Sequence, residues 1–457
     1  MGYPSFGFVS PQNMALLVDL YELVMADSYL RAGMNQRATF DLFIRSLPAQ
    51  RAFLVAAGLE AALAYLAQAR VDEAQLAYLR GLRLFSEDFL AYLREFRFSG
   101  DVWAVAEGEV IFPPEPVLEI TAPRIEAQLI ETFLLNALNY QVMVASKAAR
   151  VVLAARGRAV VDFSPRRDHG ADAALKAARA AYIAGCAGTS NVLAGMQYGI
   201  PVYGTMAHSY VMSFPDELTA FRTFARDFPD NAILLIDTYD TVQGARHAAL
   251  VAREMAARGG RLRGVRIDSG DLVALSRQVR AIFREAGLPD VQILLSGDLD
   301  EYRIADVLAG GAEADAFGVG TALGTSEDAP TMGGVYKLVE DAEGPKIKLS
   351  TGKATLPGRK QVWRRRTPDG PQDVIALADE APPPDHEPLL TRVMANGRVV
   401  RDDTLAAMRA RCREALAALP PAFTDLRAVP ASPVRLSPGL EELRAAMFRK
   451  NQTRRRP

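Results

Sequence analysis

The sequence predicts an α/β protein whose central part forms a barrel, either complete or broken. Four apolar runs between residues 233 and 320 each end in a small or acidic polar residue, namely Asp237, Asp268, Ser296 and Gly320. Segments with the spacing of amphipathic helices lie between these runs. Buried parallel strands joined by crossover helices have this pattern. Seven or eight such units make a barrel, and ligands bind at the carboxyl ends of its strands.

The chain before the barrel is predicted to be mainly helical, with one separate small β layer. Residues 98–123 are rich in Val, Ile, Pro and Gly, a composition typical of short strands joined by tight turns. Elsewhere apolar residues recur at three- and four-residue steps, which predicts helices, and one segment alternates like a strand. The predicted helices are 16–31, 53–66, 73–84 and 125–156, and the alternating strand is 40–45.

The strand–helix alternation begins at residue 159 and dissolves after residue 340. Its candidate strands are 159–163, 183–186, 201–204, 233–237, 264–268, 291–296, 316–320 and 333–339. We therefore expect an N-terminal domain of helices and the β layer over 1–124, and a barrel domain with the active site over 125–340.

The remaining residues, 341–457, are predicted to form a C-terminal extension that packs on the N-terminal domain. Residues 367–388 are acidic and rich in Pro, which predicts an exposed loop or linker. Residues 405–419 have helical spacing and stop at Pro420. The basic tail, 449–457, is predicted to be a mobile terminus.

Composition and charge exclude several classes of protein. Of 457 residues, 49% are hydrophobic and 23% are charged, which is typical of a globular protein. The net charge of −1 argues against a binder of nucleic acid or of membrane surfaces. The two cysteines, Cys186 and Cys412, imply no disulfide framework and favour a reducing cytoplasm. The sequence contains neither a signal-peptide pattern nor an apolar run that could span a bilayer.

The strand end at residues 264–272 carries the densest polar cluster. The guanidinium of Arg266 suits a planar carboxylate, because its fork donates two parallel hydrogen bonds. Asp268 and Asp271 can accept ribose hydroxyls, bind a Mg²⁺ ion, or stabilise a cationic transition state. The structural alternative is that Arg266 pairs with an Asp to close the barrel mouth.

Other candidate residues follow neighbouring strands. His208 follows a predicted strand end after a short Gly-containing turn. A neutral imidazole there could be a general base or a nucleophile toward phosphorus; the structural alternative is a capping or core histidine. Arg166 and Arg167 lie on a basic loop that either grips phosphate or is a solvated turn. The late strand ends predict an anion cradle of backbone N–H groups, with a close-packed strand end as the alternative. This cradle comprises Ser296, Gly297, Gly318, Gly320 and Thr321.

Five stretches in order resemble the nicotinate phosphoribosyltransferases, a type II phosphoribosyltransferase family, over residues from about 17 to about 337. They are 18–25, 190–195, 204–209, 264–271 and 318–321. The resemblance implies a broken α/β barrel with an N-terminal α/β layer that contains the small β subdomain. It also implies an NAD-salvage reaction in which nicotinate and phosphoribosyl diphosphate give nicotinate mononucleotide and diphosphate. ATP hydrolysis to ADP and phosphate is coupled to it through a phosphohistidine.

The resemblance assigns roles to individual residues. His208 is the phosphorylated histidine, and Thr321 contacts the sugar-phosphate substrate. Tyr21, Thr205 and Arg266 contact nicotinate; Tyr21 reaches the site of the other subunit, which implies a homodimer with shared active sites. Mg²⁺ is expected to stabilise the departing diphosphate, and we expect Arg166, Arg167 and the anion cradle to bind phosphoribosyl diphosphate.

Individual residues also bear on the choice of substrate and on competing functions. Nicotinamide-using relatives carry an acid where Asn191 stands, so a neutral residue favours nicotinate. A quinolinate enzyme needs a more basic pocket, which Arg166 and Arg167 could supply, although the His208 motif speaks against it. A barrel phosphosugar lyase or isomerase needs a Schiff-base Lys or a poised Glu at a strand end, and the seven candidate barrel strands offer neither. A metabolite sensor would not need both His208 and Arg266.

Overall fold

The computed structural model describes residues 9–349, 355–401 and 403–453. The chain forms two compact units, one made of residues up to Met143 and from Thr331 onward, the other of Val144–Pro330. These divisions differ from the predicted boundaries at 124/125 and 340/341. The first observed division, after Met143, falls inside a continuous helix. The second lies before the strand that follows residue 333, because that strand belongs to the sheet of the first unit. The assignment of functional domains stays a prediction.

The first part of the first unit alternates helices with short strands, after a 3₁₀ turn at Met14–Leu16. Its capped helices begin where the sequence supplies a hydrogen-bond acceptor, as at Asp72, which forms a capping box with Gln75. The helices are α1 (Leu20–Arg31), α2 (Leu59–Gln68), α3 (Glu73–Gly81), α4 (Glu87–Arg94), α5 (Arg124–Leu129) and α6 (Glu131–Ala154), and the strands are β1 (Arg37–Ile44), β2 (Leu54–Val55), β3 (Asp101–Val105), β4 (Val110–Ile111) and β5 (Pro116–Pro123).

One predicted helix in this region is partly wrong. Residues 53–66 were expected to be helical throughout, but Leu54–Val55 forms β2, paired antiparallel with β4, and the helix begins at Leu59. A short apolar run suits a buried strand as well as a buried helix, so periodicity could not separate the two.

The second unit alternates strands and helices after α6, except that three helices follow one another between its second and third strands. Its strands are β6 (Ala159–Asp162), β7 (Gly188–Thr189), β8 (Ile233–Leu235), β9 (Gly264–Ile267), β10 (Gln292–Leu295) and β11 (Ala316–Val319). Its helices are α7 (Ala171–Ile183), α8 (Val192–Tyr198), α9 (His208–Met212), α10 (Glu217–Asp227), α11 (Thr241–Ala256), α12 (Leu272–Glu285), α13 (Glu301–Ala309) and α14 (Thr321–Gly324).

These six strands form one parallel sheet in the order β7-β6-β11-β10-β9-β8. Among the described residues the two edge strands, β7 and β8, do not pair with each other, so the barrel is broken, as predicted. The strand side chains are largely buried, which explains why they read as continuous apolar runs. Parallel pairing brings all the carboxyl ends to one edge of the sheet.

Two predicted strands are wrong. Residues 183–186 begin at the last residue of α7, and the strand there is Gly188–Thr189 instead. The helix stops because Gly185 adopts a left-handed φ of +116°. Residues 201–204 form a single parallel bridge, between Val202 and Thr189, and no strand. Both segments are apolar, but whether a segment forms a strand depends on its pairing with a neighbouring strand and not on its composition.

The C-terminal part completes the first unit. Its strands are β12 (Gly334–Asp341), β13 (Gly344–Pro345), β14 (Lys360–Thr367), β15 (Gly370–Leu377), β16 (Glu387–Pro388), β17 (Leu390–Ala395), β18 (Arg398–Val399) and β19 (Val434–Leu436), and its helices are α15 (Leu405–Ala417), α16 (Pro421–Thr424) and α17 (Pro438–Thr453). A seven-stranded sheet in the order β13-β12-β1-β5-β3-β17-β18 joins this part to the N-terminal strands. Phe40 of β1 stacks on Tyr336 of β12 at 4.9 Å between ring centroids, within a large apolar core.

Two predictions for this part need correction. The expected exposed loop over 367–388 contains β15, which pairs antiparallel with β14 through a turn ending at Gly370 and buries Ile375. The turn Pro368-Asp369-Gly370 is a hairpin signal that the acidic, Pro-rich composition concealed. The expected mobile tail is helical as far as Thr453, and residues 454–457 lie outside the described ranges.

Within the described ranges, no helix combines the length and apolarity needed to cross a membrane.

Candidate active site

A cavity of about 560 Å³ lies at the carboxyl edge of the parallel sheet. Ten of the fourteen residues predicted for the site line it. They are Arg166, Arg167, Thr205, Arg266, Asp268, Ser296, Gly297, Gly318, Gly320 and Thr321. The structure therefore brings these ten positions together, because parallel strands with buried faces expose their carboxyl ends, and the loops that follow them, at one edge.

Arg266 is held in this cavity by its neighbours on two strands. Its Nε donates to Ser296 Oγ at 2.8 Å, and its Nη2 forms an ion pair with Asp268 Oδ1. Its Nη1 donates over a longer distance, 3.5 Å, to Thr205 Oγ1. The guanidinium carbon also lies 5.5 Å from the ring centroid of Phe163. The guanidinium is thus fixed in position, while Nη1 retains donor capacity toward the cavity.

Asp268 is the ionised carboxylate of the cavity. Burial opposes its ionisation, but the hydrogen bond from Ser296 and the charge of Arg266 outweigh burial and lower the pKa of Asp268. Ser296 Oγ donates to Asp268 Oδ1 at 2.5 Å, and the Asp268 backbone N–H donates to Asp237 Oδ2 at 2.8 Å. The cavity therefore contains a negative charge fixed beside the positive one.

His208 begins α9 beside this pair. Its Nδ1 is 3.1 Å from Thr238 Oγ1, and its Nε2 is 3.9 Å from Asp268 Oδ2. The side chain is 41% exposed, so the imidazole is partly accessible. An imidazole held at one nitrogen and open at the other has the arrangement that a nucleophile or a base requires.

Glycines bring the strand ends close together. Gly297 has φ +94°, and a Cβ there would lie 2.0 Å from the Asp268 carbonyl oxygen. A Cβ at Gly318 would lie 2.4 Å from the Phe163 ring. Asp298, next to Gly297, adopts a left-handed φ of +45° although it has a side chain, and it lines the cavity. Strained backbone of this kind is concentrated at ligand sites.

The loop after β6 carries the two arginines and several residues that the sequence analysis did not single out. Phe163 supplies an aromatic face to the cavity, and Asp162 and Ser164 are buried behind it. Asp162 Oδ1 accepts from Ser164 N at 2.9 Å. Phe163 and Asp162 could have been found in the sequence, because both stand at the carboxyl end of a predicted strand, the position that identified the other candidate residues.

Four predicted residues do not line the cavity, namely His208, which lies beside Asp268, and three that are placed elsewhere. Asp271 caps α12, accepting from the backbone N–H groups of Val273 and Ala274 at 3.0 Å; three neighbouring helices, α10, α11 and α13, also begin at a capping Asp. Asn191 caps α8, accepting from Ala194 N at 3.2 Å. Tyr21 lies on α1 in the first unit and is 48% exposed.

The acidic groups near the cavity suit a cation that is held partly by a substrate. Among the described residues no group of three or more His, Cys, Asp or Glu side chains could hold a metal alone. Asp268 and Asp298 line the cavity, and the neighbouring Asp237 has a buried Oδ1 without a hydrogen-bond partner. Mg²⁺ commonly binds one or two carboxylates and completes its shell with water and phosphate oxygens, so these residues fit it.

Comparison with known proteins agrees with this architecture. The model of the nicotinate phosphoribosyltransferase N-terminal domain matches residues 16–139, and that of the nicotinate phosphoribosyltransferase family matches residues 159–340. The chain is 49% identical over 414 residues to the nicotinate phosphoribosyltransferase pncB2 of Mycobacterium tuberculosis, covering 90% of this chain and 89% of the relative. It is 43% identical over 386 residues to the nicotinate phosphoribosyltransferase of Bacillus subtilis, covering 82% and 78%.

Among solved structures, human nicotinic acid phosphoribosyltransferase superposes with a TM-score of 0.84 at 30% identity, over 94% of this chain and 100% of that one. A nicotinate-nucleotide pyrophosphorylase from Pyrococcus furiosus superposes with a TM-score of 0.75 at 25% identity, over 91% and 99%. The sequence relatives and these two solved structures each match most of this chain. The chain belongs to the nicotinate phosphoribosyltransferase family.

Proposed function

We propose that this protein transfers the phosphoribosyl group of phosphoribosyl diphosphate to nicotinate, forming nicotinate mononucleotide and diphosphate in NAD salvage. The observation that carries the proposal is the fixed guanidinium of Arg266, which faces the cavity above the ring of Phe163 and beside an ionised carboxylate. Family membership and the named relatives support the same reaction.

Nicotinate is a flat ring with one carboxylate, and the cavity supplies a partner for each part. Nη1 of Arg266, with its long bond to Thr205, is the donor for the carboxylate, and Thr205 Oγ1 adds a polar contact. The Phe163 ring offers a stacking face for the pyridine. These contacts would hold the ring nitrogen toward the sugar.

The sugar phosphate needs anion donors and a neighbouring negative charge. Arg166, Arg167 and the strand-end glycines supply the donors, and Thr321 stands at the first turn of α14. As diphosphate leaves, positive charge develops at the anomeric carbon. Asp268 is ionised and stabilises that charge. We assign this role to Asp268 and not to Asp271, whose carboxylate caps a helix.

A Mg²⁺ ion would be held by one or two of the carboxylates of Asp237, Asp268 and Asp298 together with water and phosphate oxygens. When bound, it supplies positive charge that stabilises the departing diphosphate. The orphaned Oδ1 of Asp237 supports this assignment.

Coupling to ATP is proposed to pass through His208. Nε2 attacks the γ-phosphorus of ATP, the bond to ADP breaks, and a phosphoramidate forms; its later hydrolysis releases phosphate. Thr238 holds Nδ1, so Nε2 is the nitrogen that reacts. The phosphoryl group adds about two negative charges beside Asp268, which changes the affinity for anionic substrates and for diphosphate.

A homodimer with shared sites is proposed from the exposed apolar residues. Val192, Leu193 and Met196 on α8 are 73%, 50% and 78% exposed, and Leu20, Tyr21 and Val24 on α1 are about half exposed. Clustered apolar side chains on a helix surface are typical of an interface. A cytoplasmic setting is supported by the low cysteine content, two buried cysteines in 457 residues.

Quinolinate is the second candidate substrate, because two further cations, Arg166 and Arg167, line the same cavity. One assay separates the candidates. The protein is incubated with phosphoribosyl diphosphate, Mg²⁺, ATP and either nicotinate, nicotinamide or quinolinate, and the mononucleotides are resolved by chromatography. Nicotinate is expected to turn over fastest; absence of its mononucleotide would refute the proposal.

A further inference from the structure

Asp162, the last residue of β6, is a fully buried carboxylate whose two hydrogen-bond donors, Ser164 and Thr189, are neutral. Its Oδ1 accepts from Ser164 N at 2.9 Å, and its Oδ2 accepts from Thr189 Oγ1 at 2.7 Å. Burial raises the pKa of Asp162. A buried carboxylate bound by neutral donors stabilises a fold less well than a neutral residue would, so its presence suggests another purpose.

The two donors to Asp162 belong to different loops that meet at the cavity. Ser164 begins the loop with Arg166 and Arg167, and its carbonyl accepts from Arg167 N at 2.6 Å. Thr189 ends β7, and its hydroxyl accepts from Asn191 N at 3.0 Å. The Asp162 carbonyl accepts from Ser190 N at 2.8 Å. One residue thus ties both loops to the same strand end.

A third segment joins through the backbone of Thr189. Thr189 N donates to the Pro201 carbonyl at 3.1 Å, and Tyr203 N donates to the Thr189 carbonyl at 2.9 Å. This segment leads into Gly204 and Thr205, which line the cavity. Gly188 permits the approach, because a Cβ there would lie 2.1 Å from the Pro201 carbonyl oxygen.

We infer that Asp162 is a positioning residue, which acts through Ser164 and Thr189 to set the Arg166–Arg167 loop and the Ser190–Asn191 loop at the distance that the phosphoribosyl diphosphate requires. The inference rests on the proposed function for the identity of that ligand. Asp162 itself is fully buried and is not among the residues that line the cavity, so we assign it no direct contact with the substrate.

The hydroxyl of Thr189 allows a clean test. T189V removes the hydroxyl while keeping the size of the side chain and the backbone bonds, and T189S restores the hydroxyl. T189V is expected to raise the KM for phosphoribosyl diphosphate roughly three- to tenfold, the size expected for one hydrogen bond. The kcat should stay within about twofold of the wild-type value, because the change displaces the loops that bind the substrate and leaves the reacting groups in place. T189S should restore the KM.

A second variant and a control guard against simple destabilisation. D162N keeps the acceptor for Ser164 N but presents an amide to Thr189, and it should raise the same KM. T39V, in the first unit, removes another buried threonine hydroxyl, which is 2.8 Å from Thr121 Oγ1. It should lower the thermal unfolding temperature without changing the KM.

The outcomes separate the inference from the proposed function. Affinity for inorganic diphosphate, measured by calorimetry, needs no turnover and should fall in T189V and D162N but not in T189S. If T189V and D162N match the wild type in both KM and diphosphate affinity, the inference is overturned while the reaction stands. A wild type that transfers nothing refutes the reaction, and the calorimetric comparison still decides the inference.

Discussion

Arg266 and Asp268 form an ion pair across the end of a single strand, two residues apart, with the Ser296 hydroxyl bonded to both. Successive side chains of a strand point to opposite faces, so residues two apart share a face. The spacing Arg-Ile-Asp therefore places a cation and an anion side by side at the cavity. The structural alternative for Arg266, pairing with an Asp, is therefore realised. The pair also lines the cavity, which is compatible with the proposed contact to nicotinate.

Replacing Arg266 should weaken nicotinate binding. R266A removes the guanidinium and is expected to raise the KM for nicotinate by about ten- to hundredfold, equivalent to the ~1.5–3 kcal/mol of a hydrogen bond to a charged group. R266K keeps the positive charge but loses the forked pair of donors, so its KM for nicotinate should lie between those of the wild type and R266A. R284A, which removes an exposed ion pair with Glu313, is the control and should not change the KM. An unchanged KM in R266A would contradict the role.

Replacing His208 should uncouple ATP from transfer. H208A cannot form the phosphoramidate, so we expect residual transfer that ATP no longer stimulates. The measurement is the initial rate with and without ATP, together with acid-labile phosphate on the protein. H386A, on the loop before β16, should behave as the wild type. Full ATP stimulation in H208A would show that the phosphorylated residue is another one.

Substrate choice at position 191 can be tested without disturbing the fold. Asn191 caps α8, and Asp and Ser cap helices equally well, so N191D and N191S should both fold. N191D adds a negative charge and is expected to raise the KM for nicotinate and to increase turnover of nicotinamide. N191S, which adds no charge, should keep the preference for nicotinate. The ratio of kcat/KM for the two substrates is the readout, and equal ratios in both variants would remove Asn191 from substrate choice.

Asp168 should make the stability of the protein depend on pH. Burial, followed by the negative charge of Asp162, raises the pKa of Asp168 from its ordinary 3.8 to about 6. Because the folded state holds its proton more tightly, ionisation costs stability as pH rises through that interval. D168N is therefore expected to unfold at a higher temperature than the wild type at pH 8, and the gain should vanish below pH 4 (thermal unfolding at both pH values).

An exposed aspartate provides the comparison for this effect. D290N changes an exposed carboxylate in the same unit and should show no such pH-dependent gain. If D168N and D290N shift the unfolding temperature alike at pH 8, the burial of Asp168 has no energetic consequence.

The proposed dimer can be weakened at α8. Met196 is 78% exposed, and M196E would place a charge in an apolar interface. Sedimentation of M196E should shift toward the monomer, with loss of transfer activity if the site is shared. M196L keeps the apolar surface and should remain dimeric. A wild type that sediments as a monomer would count against the dimer itself.

Much of the site follows from local pattern alone. Apolar runs that end in Asp268, Ser296 or Gly320 mark strand ends, and parallel pairing brings strand ends together. The same pattern also marks residues that have a local structural role. Asp271 follows a strand end as Asp268 does, but it caps α12. Spacing in the sequence does not distinguish a capping carboxylate from one that faces a cavity.

The sequence by itself determined which residues stand at the strand ends, since period and polarity are properties of neighbouring residues. Only the tertiary structure decided which of these side chains meet. It left the barrel open between β7 and β8, reduced residues 201–204 to a bridge, and brought Phe163 beneath Arg266. The reason is that pairing and burial depend on residues far apart in the chain, and no local periodicity records them.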